Sequence, residues 1–398
     1  MRLGDLGADV LKIERPTMGD ESRAWGPPFD DRGESAYFLC CNRNKLSVAA
    51  DLSQPADRDM VSHLLAGADV VVDNFLPGTL AKWGLDPAPL LAAHPRLIWC
   101  TITGFGPESA RPGYDYVVQA EAGWMSVTGA PDGEPMRAGM ALADVLTGKD
   151  ALIAITAALA GVRAGLDVDR RLFVSLFHTA TEALINVAQN TLVSGAGPTR
   201  MGTAHPNLVP YQLFTAADGP IVVAVGNDAQ YAAAAQVLGG GPLLDAEFAT
   251  NAGRVRARAR LVPLIAERIA TRRVAEWREA FDRVGVPAGA VRTVQQALAD
   301  VSANGIDLVS DDPVLAERLL GTAYARLDDA RAAGIPASTV DPLKAETVAA
   351  LDRLYRMVDV AATVRFSFAT LKGVDLRALV RGPDGAPYVL DAGTRAIY

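Results

Sequence analysis

The sequence predicts an α/β fold: a large Rossmann-like domain built on an open parallel sheet, plus a smaller α+β domain. Short runs rich in Val, Ile and Leu alternate with helix-forming segments through the first half of the chain, the pattern of strands joined by helical crossovers. After a stretch rich in Gly, Pro and Thr, Gly195 to Asn207, the pattern changes to a hairpin-like strand pair followed by helices. The chain has 398 residues and 50% hydrophobic content, enough for more than one core, because single cores rarely grow past about 250 to 300 residues. The expected organisation is a large domain over 1–200, a small domain over 201–300 and a C-terminal segment over 301–398 that returns in part to the large domain.

Taken in order, the chain opens on Leu6-Gly7-Ala8-Asp9, a glycine-ended helical turn running into a strand from Val10 to Ile13. A parallel sheet normally places a strand and a full helix ahead of such a segment, so an N-terminal piece is expected to be missing. Asn42-Arg43-Asn44-Lys45 is a polar turn before a strand from Leu46 to Ala49, and Ser53 to Gly67 is a helix. Ala68 to Phe75 reads as a buried parallel-type strand ended by Pro77-Gly78. Pro87 to Ala93 is a helix, and Leu97 to Thr103 a strand that stops at Gly104-Phe105-Gly106-Pro107. Open parallel sheets bind ligands at the C-terminal ends of their strands. The candidate loops are therefore Asn42 to Lys45, Asp73 to Gly78 and Gly104 to Pro107.

Later segments predict a strand at Leu172 to Leu176, a helix at Thr179 to Val193, and a hairpin of Tyr211 to Thr215 with Ile221 to Val225. Helices are expected around Ala229 to Leu238 and Arg254 to Val284, and again from Asp341 to Met357, with a hairpin signal at Gly382-Pro383-Asp384-Gly385. There is no internal repeat.

Composition excludes several functions. The net charge is −8 without a long basic run, so the overall field repels nucleic acid and anionic membrane, and an anionic ligand needs a local basic pocket. The three cysteines, Cys40, Cys41 and Cys100, form no C-x-x-C pair, which argues against a disulfide framework or zinc site and fits a reducing, cytoplasmic compartment. The four histidines share no metal-ligand spacing. The first residues have no signal-peptide h-region, and no charge-free apolar run is long enough to span a membrane.

The most informative stretch is Arg137 to Gly165. Thr147 followed by Asp150 suggests a capping box, and Ala151 to Ala160 has no charged residue, so a helix starting at Thr147 is expected to be buried on most sides. Asp144 then falls in the turn before a helix N-terminus, where free N–H groups and the dipole favour a carboxylate and lower its pKa. Such a carboxylate is a candidate nucleophile; the alternative is a helix cap or turn residue.

Several segments together resemble the class III CoA-transferases, the CaiB/BaiF family. They are LGADVLKIERP (Leu6 to Pro16), NRNK (Asn42 to Lys45), VVDNFLPGTLAKWGL (Val71 to Leu85), ITGFGPESARPGYDYVVQAEAG (Ile102 to Gly123), RAGMALADVLTG (Arg137 to Gly148), GTAHPNLVPYQLF (Gly202 to Phe214), VVAVGNDAQY (Val222 to Tyr231) and VPAGAVRTV (Val286 to Val294). They occur in family order.

The resemblance implies that Asp144 is the covalent nucleophile. It attacks a donor acyl-CoA to give a mixed anhydride, then carries CoA as an aspartyl thioester that an acceptor carboxylate discharges. Backbone N–H groups at the helix start are expected to stabilise the oxyanions. Racemases of the same fold carry His where this chain has Tyr114, and a phenol with a pKa of about 10 is a poor base at neutral pH. Tyr114 is otherwise a core aromatic, and the neighbouring Asp115 either orients the site or caps a helix. CoA binding is carried by resemblance onto Arg15, Arg43, Lys45, Asn74, Phe75, Lys82 and Arg137. The family's G-N-x-x-Q loop, which covers the active site, falls on Gly226 to Gln230. His205-Pro206 belongs to a loop near the domain crossover.

The implied substrates are an acyl-CoA and a carboxylic acid, with no tightly bound cofactor, no metal, and an interlocked homodimer. The chain departs from the family pattern in three places. The first strand and G-P-x-A helix lie upstream of Met1, no histidine follows His205 in the tail, and Leu166 to Arg171 is irregular. An acyl-CoA racemase or isomerase and a catalytically inert CoA-binding member are therefore the alternatives.

Overall fold

A computed structural model describes residues 1–304, 313–354, 376–381, 387–391 and 396–397. The chain divides into two compact units, Met1–Val291 and Arg292–Tyr398.

The first unit begins with α1 (Arg2–Asp5), β1 (Leu11–Glu14), α2 (Ala36–Asn42), β2 (Leu46–Ala49), α3 (Pro55–Ala66), β3 (Val70–Asp73), α4 (Pro87–Ala93) and β4 (Ile98–Thr103). It continues through α5 (Asp115–Glu121), α6 (Trp124–Val127), α7 (Leu142–Arg163), β5 (Arg171–Ser175), α8 (Leu176–Glu182) and α9 (Ile185–Ser194). The strands are parallel, as the alternation with helices predicts: β1 pairs with β2, Leu11 opposite Leu46, and β4 lies between β3 and β5. Ile98, Trp99, Cys100 and Thr101 of β4 are all buried, because helices cover both faces of a central parallel strand. Leu91 of α4 packs with Trp99 on one face, and Ala151 and Ile155 of α7 pack with Cys100 on the other.

In this unit α2, α5 and α6 were not anticipated. Helix α2 is short, but the Ser35 side chain accepts the Phe38 N–H and caps it. Helix α5 starts without a side-chain cap of its own. The single helix expected at Thr179 to Val193 is two, broken where Ile185 takes φ 42°.

Helix α7 corrects three expectations. It starts at Leu142, so Thr147 is not a cap but an interior residue whose hydroxyl donates to Ala143 O at 2.7 Å, and Asp150 accepts from Thr179 Oγ1 instead. Within this chain it buries one stripe only, Ala143, Thr147, Ala151, Ile155, Ala158 and Gly161, because β4, β5, α5 and α8 line a single side of it. By length and composition it is also apolar enough to cross a membrane, although Lys149 and Asp150 leave it without the charge-free run expected of such a segment. Its buried stripe packs it as a core helix of the α/β unit.

An antiparallel sheet follows, built from β6 (Tyr211–Ala216), β7 (Gly219–Ala224) and β8 (Ala288–Ala290), with α10 (Asp228–Val237), α11 (Asn251–Arg256), α12 (Arg258–Ile269) and α13 (Val274–Asp282). The long helix expected from Arg254 to Val284 is thus divided into shorter ones. Phe214, Ile221, Val223, Leu261, Ile265, Trp277 and Phe281 form one core here. Arg254 is buried in it, donating to Val209 O, Phe248 O and Asp228 Oδ1 at 2.7, 2.9 and 2.8 Å.

The second unit holds α14 (Val294–Asn304), α15 (Pro313–Ala332) and α16 (Ala337–Leu354), and an antiparallel sheet of β9 (Leu376–Arg381), β10 (Pro387–Asp391) and β11 (Ala396–Ile397). Ion pairs Lys344–Asp328 and Arg331–Asp341 join α15 to α16. Met357 and the Gly382 to Gly385 turn lie outside the described residues.

Candidate active site

The loop after β4 brings α5 into place. Gly104 and Gly113 cross so closely that a Cβ built on Gly104 would lie 2.6 Å from the Gly113 Cα. Only glycine permits this approach. The crossing anchors Tyr114 and Asp115 at the C-terminal end of β4.

Asp115, the first residue of α5, is 9% exposed. Its Oδ1 accepts the Ala143 N–H at 2.7 Å and the Asp144 N–H at 3.2 Å. Asp115 therefore caps α7 from another helix, which is why α7 needs no capping side chain of its own. Its Oδ2 accepts from Gln119 Nε2 at 2.6 Å, one turn along α5. Gln119 Oε1 accepts the Ala138 N–H at 2.8 Å, and Nε2 also reaches Met140 O at 3.4 Å. One buried amide thus ties the loop leading into α7 to α5.

The first-turn amides of α7 are all occupied. Leu142 N–H donates to Met140 O, Ala143 and Asp144 donate to Asp115, and Val145 donates to Ala141 O. This corrects the expectation that helix-start amides serve an oxyanion. It also reverses the expected pKa shift: the Asp144 carboxyl is pushed up to about 6, first by the protein packed around it and then by the Asp115 charge. One side of Asp144 stays open to solvent.

Tyr114 is 62% exposed, not a core aromatic. Sequence reasoning missed Tyr37. Burial raises its hydroxyl pKa, and the charges of Asp144, Cys41, Cys40 and Asp115 raise it further, which puts α2 within electrostatic reach of Asp144. Its ring meets Trp25 edge-on at 5.0 Å. The Ser35 cap just before Ala36-Tyr37-Phe38 was the available signal.

The candidate CoA residues fall in separate places. Arg43 is held by Asp5 through Nε at 3.0 Å and Nη2 at 2.7 Å, and Lys45 donates to Asn42 Oδ1 at 2.9 Å. Arg15 and Lys82 are exposed, and Lys82 sits in a 3₁₀ turn after the Asp73 to Gly78 loop. Asn74 is exposed beside Phe75, whose ring packs edge-on against Trp83 at 5.6 Å. Arg137 lies over the Tyr116 ring at 5.6 Å, in the segment that Gln119 holds. Phe75 lines a groove of about 510 Å3 beside Asp73 at the end of β3, Thr101 of β4, and Arg171 and Phe173 of β5. Asp73 Oδ2 accepts from Trp99 Nε1 at 2.7 Å and Thr101 Oγ1 at 2.5 Å, and Arg171 Nη1 donates to Thr101 Oγ1 at 2.9 Å. In the Gly226 to Gln230 loop, Gly226 N–H is taken by Gln230 Oε1 at 2.8 Å.

The model for "CoA-transferase family III" matches residues 1–337. The chain belongs to CoA-transferase family III. It is 41% identical to the succinate–glutarate CoA-transferase of Agrobacterium fabrum over 324 residues, 78% of this chain and 80% of that protein. It is 38% identical to the human succinyl-CoA:glutarate CoA-transferase over 323 residues, 79% of this chain and 73% of that one. A crystal structure of a CaiB/BaiF family protein from Brucella suis superposes with a TM-score of 0.64 at 44% identity, covering 76% of this chain and 80% of that one. The chain is therefore an acyl-CoA:carboxylate CoA-transferase of class III. In this CoA-transferase the α5–α7 junction offers one solvent-reachable carboxylate of raised pKa, Asp144, backed by a buried carboxylate already committed to backbone donors.

Proposed function

We propose that this CoA-transferase works through covalent intermediates on Asp144, with dicarboxylic acids as its carbon substrates. The observation that carries this is the Asp144 carboxyl raised to about 6 in a helix turn whose N–H groups are all engaged elsewhere. An anion denied those donors is less stabilised and more nucleophilic than an ordinary carboxylate, yet still ionised at neutral pH. Its oxygen attacks the donor thioester carbonyl, the C–S bond breaks, and CoA leaves as a thiolate. The thiolate then attacks the aspartyl carbonyl of the mixed anhydride, releasing the donor acid and leaving an aspartyl-CoA thioester. An acceptor carboxylate reverses both steps. Asp115 positions Asp144 through its backbone and raises its pKa; Tyr114, exposed beside it, faces the incoming substrate.

CoA is a substrate, with no tightly bound cofactor. Arg15, Arg43, Lys45, Asn74, Phe75, Lys82 and Arg137 serve its binding, Arg43 after release from Asp5. The names of the Agrobacterium and human relatives favour succinyl and glutaryl groups. The exposed apolar side of α7 suits an interlocked homodimer, and the unpaired cysteines suit the cytoplasm.

The test is peptide mass spectrometry after incubation with succinyl-CoA or glutaryl-CoA and quenching with hydroxylamine. A hydroxamate on the Asp144 peptide, absent in Asp144→Ala, is expected. A folded, CoA-binding protein that yields no adduct with either donor would overturn the covalent route.

A further inference from the structure

Cys40 and Cys41 are adjacent on α2, both exposed, with their sulfurs 3.5 Å apart. Neighbours at i and i+1 on a helix normally point apart. Here both side chains turn to the same place, and Cys40 Sγ also donates to Tyr37 O at 3.1 Å.

This spacing suits a bridge of one atom better than a direct bond. Disulfides favour Cα separations of about 4.4 to 6.8 Å, whereas consecutive residues are fixed at about 3.8 Å, so an S–S bond between Cys40 and Cys41 would have to distort α2. A soft centre with bonds to sulfur of about 2.3 Å spans 3.5 Å at an angle of roughly 100°. That angle fits a pyramidal trivalent centre. No cluster of three or more His, Cys, Asp or Glu side chains suited to a metal ion occurs among the described residues. The remaining position must then be filled from outside the protein, as in an organoarsenical that brings its own carbon substituent.

We propose that Cys40 and Cys41 form a vicinal dithiol site for monosubstituted trivalent arsenicals. Capture is a condensation without change of oxidation state. The two thiol sulfurs form bonds to arsenic, the arsenic–oxygen bond of the oxide breaks, and the two thiol protons leave with that oxygen as water. The Cys41 thiol is pushed up to about 11 by the protein packed against it and by Cys40, which disfavours oxidation through a free thiolate.

The site lies close to the chemistry. Tyr37 and Cys41 are four residues apart and share a face of α2, and the Tyr37 hydroxyl feels both cysteines and Asp144. A captured aryl arsenical is therefore expected to obstruct Asp144. That consequence rests on the covalent-aspartate proposal, whereas capture is measured independently of it.

The experiment treats the full chain with one equivalent of phenylarsine oxide and reads intact mass, denatured thiol count and a peptide map. One arsine per chain, two of the three thiols lost, and a bridged peptide containing Cys40 and Cys41 are expected. 2,3-Dimercaptopropanol should remove the adduct and a monothiol should not. Because the second thiol binds intramolecularly, Cys40→Ser and Cys41→Ser should each release the arsine to a monothiol at least about tenfold faster. Cys100→Ser should change nothing. An adduct that consumes one thiol, maps elsewhere, or persists equally in either serine variant would overturn the proposal. The wild-type peptide map gives this answer even if a variant misfolds.

Discussion

Asp115 and Asp144 are joined through the backbone and repel through their like charges: Asp115 Oδ1 takes the Asp144 N–H at 3.2 Å while its negative charge helps raise the Asp144 carboxyl to about 6. The same contact that starts α7 also withdraws the helix-start amides from the Asp144 side chain. A carboxylate in the first turn ordinarily gains from those donors. Here the gain goes to Asp115, and Asp144 keeps the less solvated anion.

The reactive form of Asp144 is the ionised one, so protonation should switch the reaction off. Activity, read as kcat/KM, should stay level above about pH 7 and fall tenfold per pH unit below the Asp144 pKa of about 6. A profile level down to about pH 4, an ordinary carboxylate pKa, would contradict the raised value.

The same shift bears on stability. Because the folded-state pKa lies above the unfolded one, the folded protein holds the proton more tightly, and stability falls as pH rises from 3.8 to about 6. Above that range the cost is constant; below it the cost is gone. Asp144→Asn should therefore stabilise the fold at about pH 7.5, by about 1 kcal/mol once solvent screening on the open side is allowed for, and by nothing near pH 4. Equal melting-temperature changes at both pH values would point to packing instead.

Two substitutions separate the two roles of Asp115. Asp115→Asn keeps an oxygen for the Ala143 and Asp144 N–H groups but removes the charge, so the acid limb of the rate profile should move to lower pH with the fold intact. Asp115→Ala removes the cap as well and should cost about 1 to 2 kcal/mol, seen as a lower denaturation midpoint. An acid limb unmoved in Asp115→Asn would remove Asp115 from the electrostatics of the site.

What could be read from the sequence divides along physical lines. Strands such as Leu97 to Thr103 and helices such as Pro87 to Ala93 were legible because their apolar pattern and Pro signals are local. The motif around Asp144 was legible through its resemblance to a family. The pKa of Asp144 was not, because it depends on Asp115, 29 positions away, being folded onto the same helix start. The start of α7 was misplaced for the same reason: a cap supplied by another helix leaves no mark at Ala141. The Ser35 cap could have shown the helix that carries Tyr37, but not the relation of Tyr37 to Asp144, which is wholly tertiary.

Arg254 makes a prediction for the small sheet. It is 0% exposed and donates to two backbone carbonyls, Val209 O and Phe248 O, as well as to Asp228. Its guanidinium also lies over the Tyr231 ring at 4.3 Å. Arg254→Met fills similar space but strands the Val209 and Phe248 carbonyls, while Asp228 stays open to water, and should destabilise this core by about 2 to 4 kcal/mol. Hydrogen exchange at the β6 and β7 amides is the direct readout. Exchange rates equal to those of the unsubstituted chain would show that the buried cation is dispensable.

Helix α7 carries its apolar character round to the side away from β4, leaving Ile153 65% and Val145 49% exposed in this chain. This side is apolar except for Lys149 between Val145 and Ile153, and the proposed homodimer would cover it. Burying one isoleucine is worth about 1.5 to 3 kcal/mol, and twofold symmetry counts each substitution twice. Ile153→Glu should therefore weaken association by several kcal/mol and shift the chain toward monomer or aggregate in light scattering across a dilution series. If Ile153→Glu dilutes with the same mass profile as the unsubstituted chain, this side of α7 does not form the subunit contact, and another surface must.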